Sequence, residues 1–316
     1  FGLTHMKTPE FWNKQSFLSN LLQPLGTIYA AATAWRLKSH TPYKSEYPVI
    51  CIGNLTAGGT GKTPVSLSIA DLLHRMGKNP YFITRGYGGS LHNVVVNRQI
   101  HTPQQVGDEP LLLAEVAPTV VNPDRAAAAK LAAANGADCL VMDDGFQNPT
   151  LHKDLSFLVF DGNYGIGNGR VIPAGPLREP FDKGVKRAQA VIILGADKHA
   201  VAEQTALPVF YGEIKEEKPE TTNLNIAAFC GIGHPEKFYD SLKKCGFNIV
   251  KTFNYPDHYF YTRAELSSLI DFAQKNNLDI YTTSKDFVKI PLSLRPHFKV
   301  LKIKICWNDE AALQKF

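Results

Sequence analysis

Two periodicities divide the chain. The run Pro48-Val-Ile-Cys-Ile-Gly53 is apolar and β-branched, as expected of a strand buried on both faces, and the helical spacing of apolar residues that follows runs through Met76. Similar short apolar runs recur at 81–84, 94–96, 119–122, 140–142, 155–160 and 190–194, with helical stretches after several of them. Strand and helix in alternation predict an α/β fold, a doubly wound and mainly parallel sheet. The alternation breaks in a polar stretch at about 203–222, whose Glu213-Ile-Lys-Glu-Glu-Lys-Pro-Glu-Thr-Thr222 reads as a solvated linker. A second strand-helix series starts at Ile226-Ala-Ala-Phe-Cys230. The expected organisation is an N-terminal helical segment (1–47), a larger α/β domain (48–205) and a second, smaller α/β domain (206–305).

Within the N-terminal segment, the stretch between Lys14 and Arg36 carries no charge and approaches the ~20 residues that span hydrocarbon. Ser16, Ser19, Asn20, Gln23, Pro24 and Thr27 interrupt it, however, while Leu18, Leu21, Leu22, Leu25, Ile28, Tyr29, Ala32 and Trp35 recur at helical spacing. That pattern predicts an amphipathic helix, kinked at Pro24. Trp12 and Trp35 near its ends and Lys14, Arg36 and Lys38 on its flanks suit an anionic membrane surface, and packing of the same stripe on a protein core is equally compatible.

Composition narrows the class. A chain of 316 residues with 44% hydrophobic and 20% charged content can bury a large core, which excludes disorder and disulfide mini-scaffolds. The net charge of +5 is a small excess of 34 basic over 29 acidic residues, too balanced for a general nucleic-acid binder, so no nucleic-acid partner is expected. The excess is concentrated in the first 47 residues, where Lys7, Lys14, Arg36, Lys38 and Lys44 face only Glu10 and Glu46. Cys51, Cys139, Cys230, Cys245 and Cys306 are scattered and form no CxxC pair, which predicts buried, inert thiols in a reducing compartment. The opening residues lack the order of a signal peptide, and Phe1 to His5, before Met6, contribute to no predicted element.

The chemistry begins after the first strand. Asn54-Leu-Thr-Ala-Gly-Gly-Thr-Gly-Lys-Thr63 lies between strand and helix, the setting of a phosphate-binding P-loop, and ends in the expected Gly61-Lys62-Thr63 with Thr56 in place of the first glycine. The loop Thr56, Ala57, Gly58, Gly59, Thr60, Gly61, Lys62 and Thr63 is the candidate nucleotide cradle: backbone N–H groups and the helix N-terminus meet phosphate, Lys62 reaches the β and γ phosphates, and Thr63 ligates Mg²⁺. Ala137-Asp-Cys-Leu-Val-Met-Asp-Asp144 is an apolar strand ending in two carboxylates. In an open parallel sheet Asp143 and Asp144 then face the crevice that holds the phosphates, where carboxylates suit Mg²⁺.

The remaining motifs decide among nucleotide-binding functions. Arg85-Gly-Tyr87, Gly107-Asp-Glu-Pro110, Asp124-Arg125, Asp143-Asp-Gly-Phe-Gln147, Leu177-Arg-Glu-Pro180, Asp257-His-Tyr259 and Thr282-Thr-Ser-Lys-Asp286 follow the P-loop in that order. Together they closely resemble the tetraacyldisaccharide 4'-kinase family, from the N-terminal helix to about Val288, and Thr56 is itself a family feature. The resemblance implies transfer of the ATP γ-phosphate to the 4'-hydroxyl of a tetraacyldisaccharide 1-phosphate, giving lipid IVA in lipid A biosynthesis. It also implies a monomeric, peripheral enzyme on the cytoplasmic face of the inner membrane. The implied architecture is two-lobed, with the cleft as active site, Asp257 and His258 supplied by the smaller lobe, and about 306–316 returning to the larger.

Residue by residue, the resemblance implies that Asp108 is the base for the 4'-hydroxyl proton, with His258 hydrogen-bonded to it and tuning it, and Glu109 assisting. Lys62 and Thr63 carry over to the γ-phosphate and Mg²⁺, Asp143 and Asp144 to the metal side, and Gln147 and Arg125 to active-site contacts. Arg85, Arg178 and Glu179 are weaker assignments, the arginines to an anionic phosphate and Glu179 to the metal. The family usually has His after Asp-Asp-Gly-Phe-Gln, and this chain has Asn148. A membrane-associated ATPase switch competes, but its signature lysine is replaced by Ala57. A GTPase reading fails because Lys285 and Asp286 are adjacent, where the guanine-specifying motif separates them by one residue. A kinase of a soluble substrate, or a ligase using the same loop, leaves the N-terminal helix unexplained.

Overall fold

The computed structural model describes residues 9–316. Phe1 to His5 and Lys7 lie outside the described residues. In chain order the elements of the larger lobe are α1 (Phe17–Lys38), β1 (Val49–Gly53), α2 (Lys62–Arg75), β2 (Pro80–Thr84), β3 (Val94–Val95), α3 (Pro103–Val106), α4 (Asp108–Leu113), β4 (Thr119–Val121), α5 (Arg125–Ala134), β5 (Cys139–Asp143), β6 (Leu155–Asp161), α6 (Phe181–Val185), β7 (Ala190–Leu194) and β8 (Val209–Glu216). The smaller lobe holds β9 (Asn225–Cys230), α7 (Pro235–Lys244), β10 (Asn248–Asn254), α8 (Arg263–Lys275), β11 (Asp279–Thr283), α9 (Ser284–Phe287) and β12 (Lys299–Leu301). The chain then returns to the larger lobe as β13 (Ile303–Trp307) and α10 (Glu310–Lys315).

The larger sheet has nine strands in the order β13-β8-β7-β6-β1-β5-β2-β4-β3, parallel except at its two edges, where β13 meets β8 and β3 meets β4 antiparallel. The smaller sheet, β10-β9-β11-β12, is parallel throughout. Each central strand is apolar on both faces because helices cover both. Cys51, Leu140, Met142, Leu158 and Phe160 pack on one side of the large sheet, and Ile52, Val141, Phe157 and Val159 on the other. β1 pairs with β5 on one side and β6 on the other. The crevice beyond the carboxyl ends of these three strands is where such a sheet binds ligands.

The large sheet extends further than the sequence pattern suggests. β8 continues past residue 205 to Glu216, through the start of the stretch read as linker, and pairs with β13. Glu213, Ile214 and Lys215 of this near-edge strand are all exposed, so its second half shows no alternation, and the lobes part at 217–224. Cys245 and Cys306 are half-buried, whereas Cys51, Cys139 and Cys230 are fully buried, and burial pushes these three thiols up to about 12, 12 and 11.

α1 starts from a capping box at Ser16 and contains Pro24 within its length. It turns small and polar residues to the protein: Ser19, Gly26 and Thr33 are buried, while Phe17, Leu21, Ile28 and Trp35 are 63–83% exposed. A Cβ at Gly26 would lie 2.8 Å from the Val171 carbonyl oxygen, so glycine is what lets the helix approach the 162–178 loop. Arg170 of that loop donates to Asn20 and Ser19, and Trp12 donates its indole N–H to Pro173 O at 3.0 Å. Among the described residues no helix is long and apolar enough to cross a membrane.

Candidate active site

The loop between β1 and α2 is braced from within. Asn54 Nδ2 donates to Thr56 O at 2.7 Å and to Thr60 Oγ1 at 3.1 Å, while Asn54 Oδ1 and Thr56 Oγ1 are buried without a partner. Thr56 bridges Leu177, and the Ala57 N–H donates to Pro176 O at 2.7 Å. Thr56 and Ala57 therefore form the base of the loop, and that amide is already spent on the 162–178 loop. Gly58 and Gly59 face open space, and Gly61, at φ +84°, caps α2 in the left-handed region where L side chains are strained. With Gly58 and Gly59 open and α2 beginning at Lys62, unencumbered N–H groups and the helix dipole converge where an anion fits.

Opposite the loop, Asp143 ends β5 fully buried. Its Oδ1 accepts from Ser66 Oγ at 2.7 Å and its Oδ2 from Thr63 Oγ1 at 3.3 Å. Burial, reinforced by Glu109 and Asp144, pushes its carboxyl up to about 7 against the pull of Ser66 and Lys62. Asp144 follows in the left-handed region (φ 50°), which turns its half-exposed carboxylate toward Arg178 at 3.1 Å and Lys62 Nζ at 3.7 Å. Gln147 Nε2 donates to Asn54 O at 2.9 Å and to Glu179 at 3.2 Å, tying the β5 loop to the phosphate loop.

Glu179 does not join the metal-side carboxylates. Both its oxygens are taken by Arg187, at 2.5 and 2.6 Å, and the pair is nearly closed from solvent on the glutamate side. Its charge is neutralised there, and with Gln147 it props the floor of the site. Arg125 opens α5 buried, donates to Asn122 O at 2.6 Å, and leaves Nε without a partner. Burial, with Arg85 adding to it, brings its guanidinium down to about 10. Arg85 is exposed and lines a cavity of about 300 Å³ with Tyr87, His92 and Pro123. Asn148 turns its side-chain oxygen to Thr150, accepting from its N–H and hydroxyl at 3.0 Å each, so it shapes the turn into β6.

The third part of the site spans the two lobes. Asp108, 6% exposed at the start of α4, meets His258 Nδ1 of the smaller lobe at 3.0 Å through Oδ2. Burial pushes the Asp108 carboxyl up, but the His258 hydrogen bond and the charges of Lys285, His258 and Lys289 outweigh it, holding the group below the usual carboxylate range. The same hydrogen bond raises His258 above the ordinary imidazole value, against burial and Lys285. Burial raises neighbouring Glu109, which is near enough to Asp143 to be the leading charge acting on it. The site thus brings together an open glycine loop at a helix N-terminus, the oxygens of Thr63, Asp143 and Asp144, which could hold a hard cation, and a buried carboxylate hydrogen-bonded to an imidazole.

Three residues of this constellation carried no assignment from the sequence. Ser66 lies one helical turn past Thr63, so their shared face of α2 was a readable signal for the second hydroxyl on Asp143. Lys285, whose Nζ is 3.2 Å from His258 Nε2, and Arg187, which closes on Glu179, gave none.

The sequence model of the tetraacyldisaccharide-1-phosphate 4'-kinases matches residues 18–316. A tetraacyldisaccharide 4'-kinase of Gluconobacter oxydans is 43% identical over 96% of this chain and 94% of its own length, and one of Rhodospirillum centenum 44% over 98% and 95%. The crystal structure of LpxK from Aquifex aeolicus in complex with ATP superposes with a TM-score of 0.79 at 27% identity, over 95% of this chain and 98% of that one.

Proposed function

The chain belongs to the tetraacyldisaccharide 4'-kinase family, an ATP-dependent kinase of lipid A biosynthesis, and we propose on that premise how its own residues carry out the transfer. The nucleotide phosphates rest on the amides of Gly58 to Gly61 and the start of α2, with Lys62 on the γ-phosphate. Asp108 accepts the proton of the 4'-hydroxyl as that oxygen bonds the γ-phosphorus and the bond from phosphorus to the β–γ bridging oxygen breaks, releasing ADP. His258 holds Asp108 ionised and oriented through its Nδ1–H. In a transition state spread over the phosphoryl oxygens, positioning and charge neutralisation do most of the work, which fits Lys62 and Arg178 converging on Asp144. The observation that carries this reading is the 3.0 Å contact between Asp108 and His258 across the lobes.

The donor set fits Mg²⁺. Asp143 is a buried carboxylate whose charge is penalised until a cation joins it, and Thr63 and Asp144 complete an oxygen set of the small size that Mg²⁺ takes beside phosphates. An ion held there by Thr63, Asp143 and Asp144 would neutralise charge on the nucleotide phosphates.

The exposed apolar face of α1 supports peripheral binding to the cytoplasmic face of the inner membrane. The same loop that docks α1 through Val171 also meets the phosphate loop at Pro176 and Leu177, so the helix places the nucleotide cradle beside the lipid surface. One chain supplies both halves of the site, which supports action as a monomer.

The reading is tested with [γ-³²P]ATP, Mg²⁺ and tetraacyldisaccharide 1-phosphate in detergent micelles, products being separated by thin-layer chromatography. Labelled lipid from the wild type and none from Lys62→Ala is expected. ATP hydrolysis without labelled lipid would refute the reading in favour of an ATPase switch.

A further inference from the structure

His258 is held from both sides. Its backbone sits in the left-handed region (φ 58°), its N–H donates to Asp257 Oδ1 at 3.1 Å, and its ring contacts Asp108 through Nδ1. The other ring nitrogen, Nε2, faces Lys285 Nζ at 3.2 Å, and the same ammonium is 3.2 Å from Asp257 Oδ1. Lys285 is fixed in turn by its neighbour. Asp286 is fully buried and accepts from Gly231 N–H at 3.0 Å, Tyr261 OH at 2.8 Å and Thr283 Oγ1 at 2.7 Å, with Lys289 Nζ at 2.8 Å. The first turn of α9, which carries Lys285, is therefore anchored by a buried network.

With His258 neutral, the donor chemistry of this chain of contacts has one consistent assignment. An ionised carboxylate only accepts, so His258 Nδ1 carries a hydrogen toward Asp108. An ammonium only donates, so His258 Nε2 offers its lone pair to Lys285. We propose that Lys285 is a positioning residue of the phosphoryl transfer, which holds His258 as the neutral Nδ1–H tautomer and thereby keeps one hydrogen aimed at Asp108. It touches neither the nucleotide loop nor the base directly, and the proposal rests on the reading of Asp108 as the base. Other charged or titratable groups facing the cluster are Glu109 beside Asp108, Asp257 and Lys289, with the Tyr87 ring edge-on to His258 at 6.1 Å between ring centroids. Removing the ammonium frees Nε2 to carry a hydrogen, either as a second proton, so that His258 titrates at higher pH, or as the other neutral tautomer, which turns a lone pair toward Asp108.

The test compares Lys285→Met, which keeps length without charge, with Lys285→Arg, which keeps the charge and the donor. In Lys285→Met, kcat is expected to fall about tenfold, the KM for ATP to stay within about twofold, and the His258 titration midpoint, read by imidazole ¹⁵N NMR, to move up. Lys285→Arg is expected to restore kcat to within about threefold. An unchanged kcat and midpoint in Lys285→Met overturns the proposal. Equal losses in both variants with a collapsed Tm also overturn it, since Lys285 then only supports the fold. Asp108→Asn in the same assay separates the two readings: normal turnover there refutes the base, whereas a slow Asp108→Asn beside a normal Lys285→Met refutes only Lys285.

Discussion

Asp108→Asn preserves the shape of the buried carboxylate and removes its capacity to take a proton. A general base contributes roughly 10²–10⁴ to rate, about 2.7–5.4 kcal/mol at 1.36 kcal/mol per factor of ten, and kcat is expected to drop within that span. Asp108 has no hydrogen bond to the loop of Gly58 to Thr63, so the KM for ATP should move by less than about threefold. His258→Gln leaves the base in place without its partner, which is the leading favourable influence on the ionised form, and a loss of about tenfold is expected. The decisive measurement is the double variant in the micellar radiolabel assay. If the two residues act as one unit, Asp108→Asn with His258→Gln is no slower than Asp108→Asn alone by more than about threefold. Losses that multiply, or an Asp108→Asn enzyme near wild-type speed, would refute the unit.

The lobe-bridging pair also has a pH signature. The lowered Asp108 value contributes stability above the ordinary carboxylate range that is lost as pH falls through it. The raised His258 value contributes stability below the ordinary imidazole range that is lost as pH rises through it. The Tm gap between wild type and His258→Gln should therefore be widest near about pH 5 and close toward alkaline pH. For Asp143, raised to about 7, the metal-free fold favours the protonated form and loses stability as pH rises through that value. Mg²⁺ should accordingly raise Tm more at about pH 8 than at about pH 6, and an equal increment at both would exclude Asp143 as a ligand. Gly61→Ala places a Cβ at φ +84° and 2.4 Å from Leu194 Cδ1, and should cost ~1–2 kcal/mol of stability and weaken ATP binding. Gly59→Ala, with nothing within 4 Å, should leave the urea midpoint in place.

How much of this was legible follows from how local each feature is. The phosphate loop and the Asp143-Asp144 pair are strings of adjacent residues set against apolar strands, and strand periodicity alone places both at the same end of one parallel sheet. β8 carries no such signal for a physical reason: near the sheet edge its second half, Glu213-Ile-Lys215, is exposed at every position, so it has neither alternation nor an apolar run and reads as linker. Glu179, which the resemblance implies at the metal, has both oxygens held by Arg187, a partner on a different turn of the chain that acts only through folding and leaves no local trace. The meeting of Asp108 with His258, 150 residues apart, has no periodic or compositional trace, and only the resemblance to a family brought the two together in advance. Lys285 shows the limit of motif reading most clearly. Thr282-Thr-Ser-Lys-Asp286 was visible as a motif, but its spacing spoke only against guanine recognition, and its use depends on a buried Asp286 aiming the adjacent side chain across a lobe boundary. Catalytic geometry in this fold is therefore written twice, once in contiguous loops that sequence exposes and once in buried anchors, Ser66, Arg187 and Asp286, that fix where those loops point.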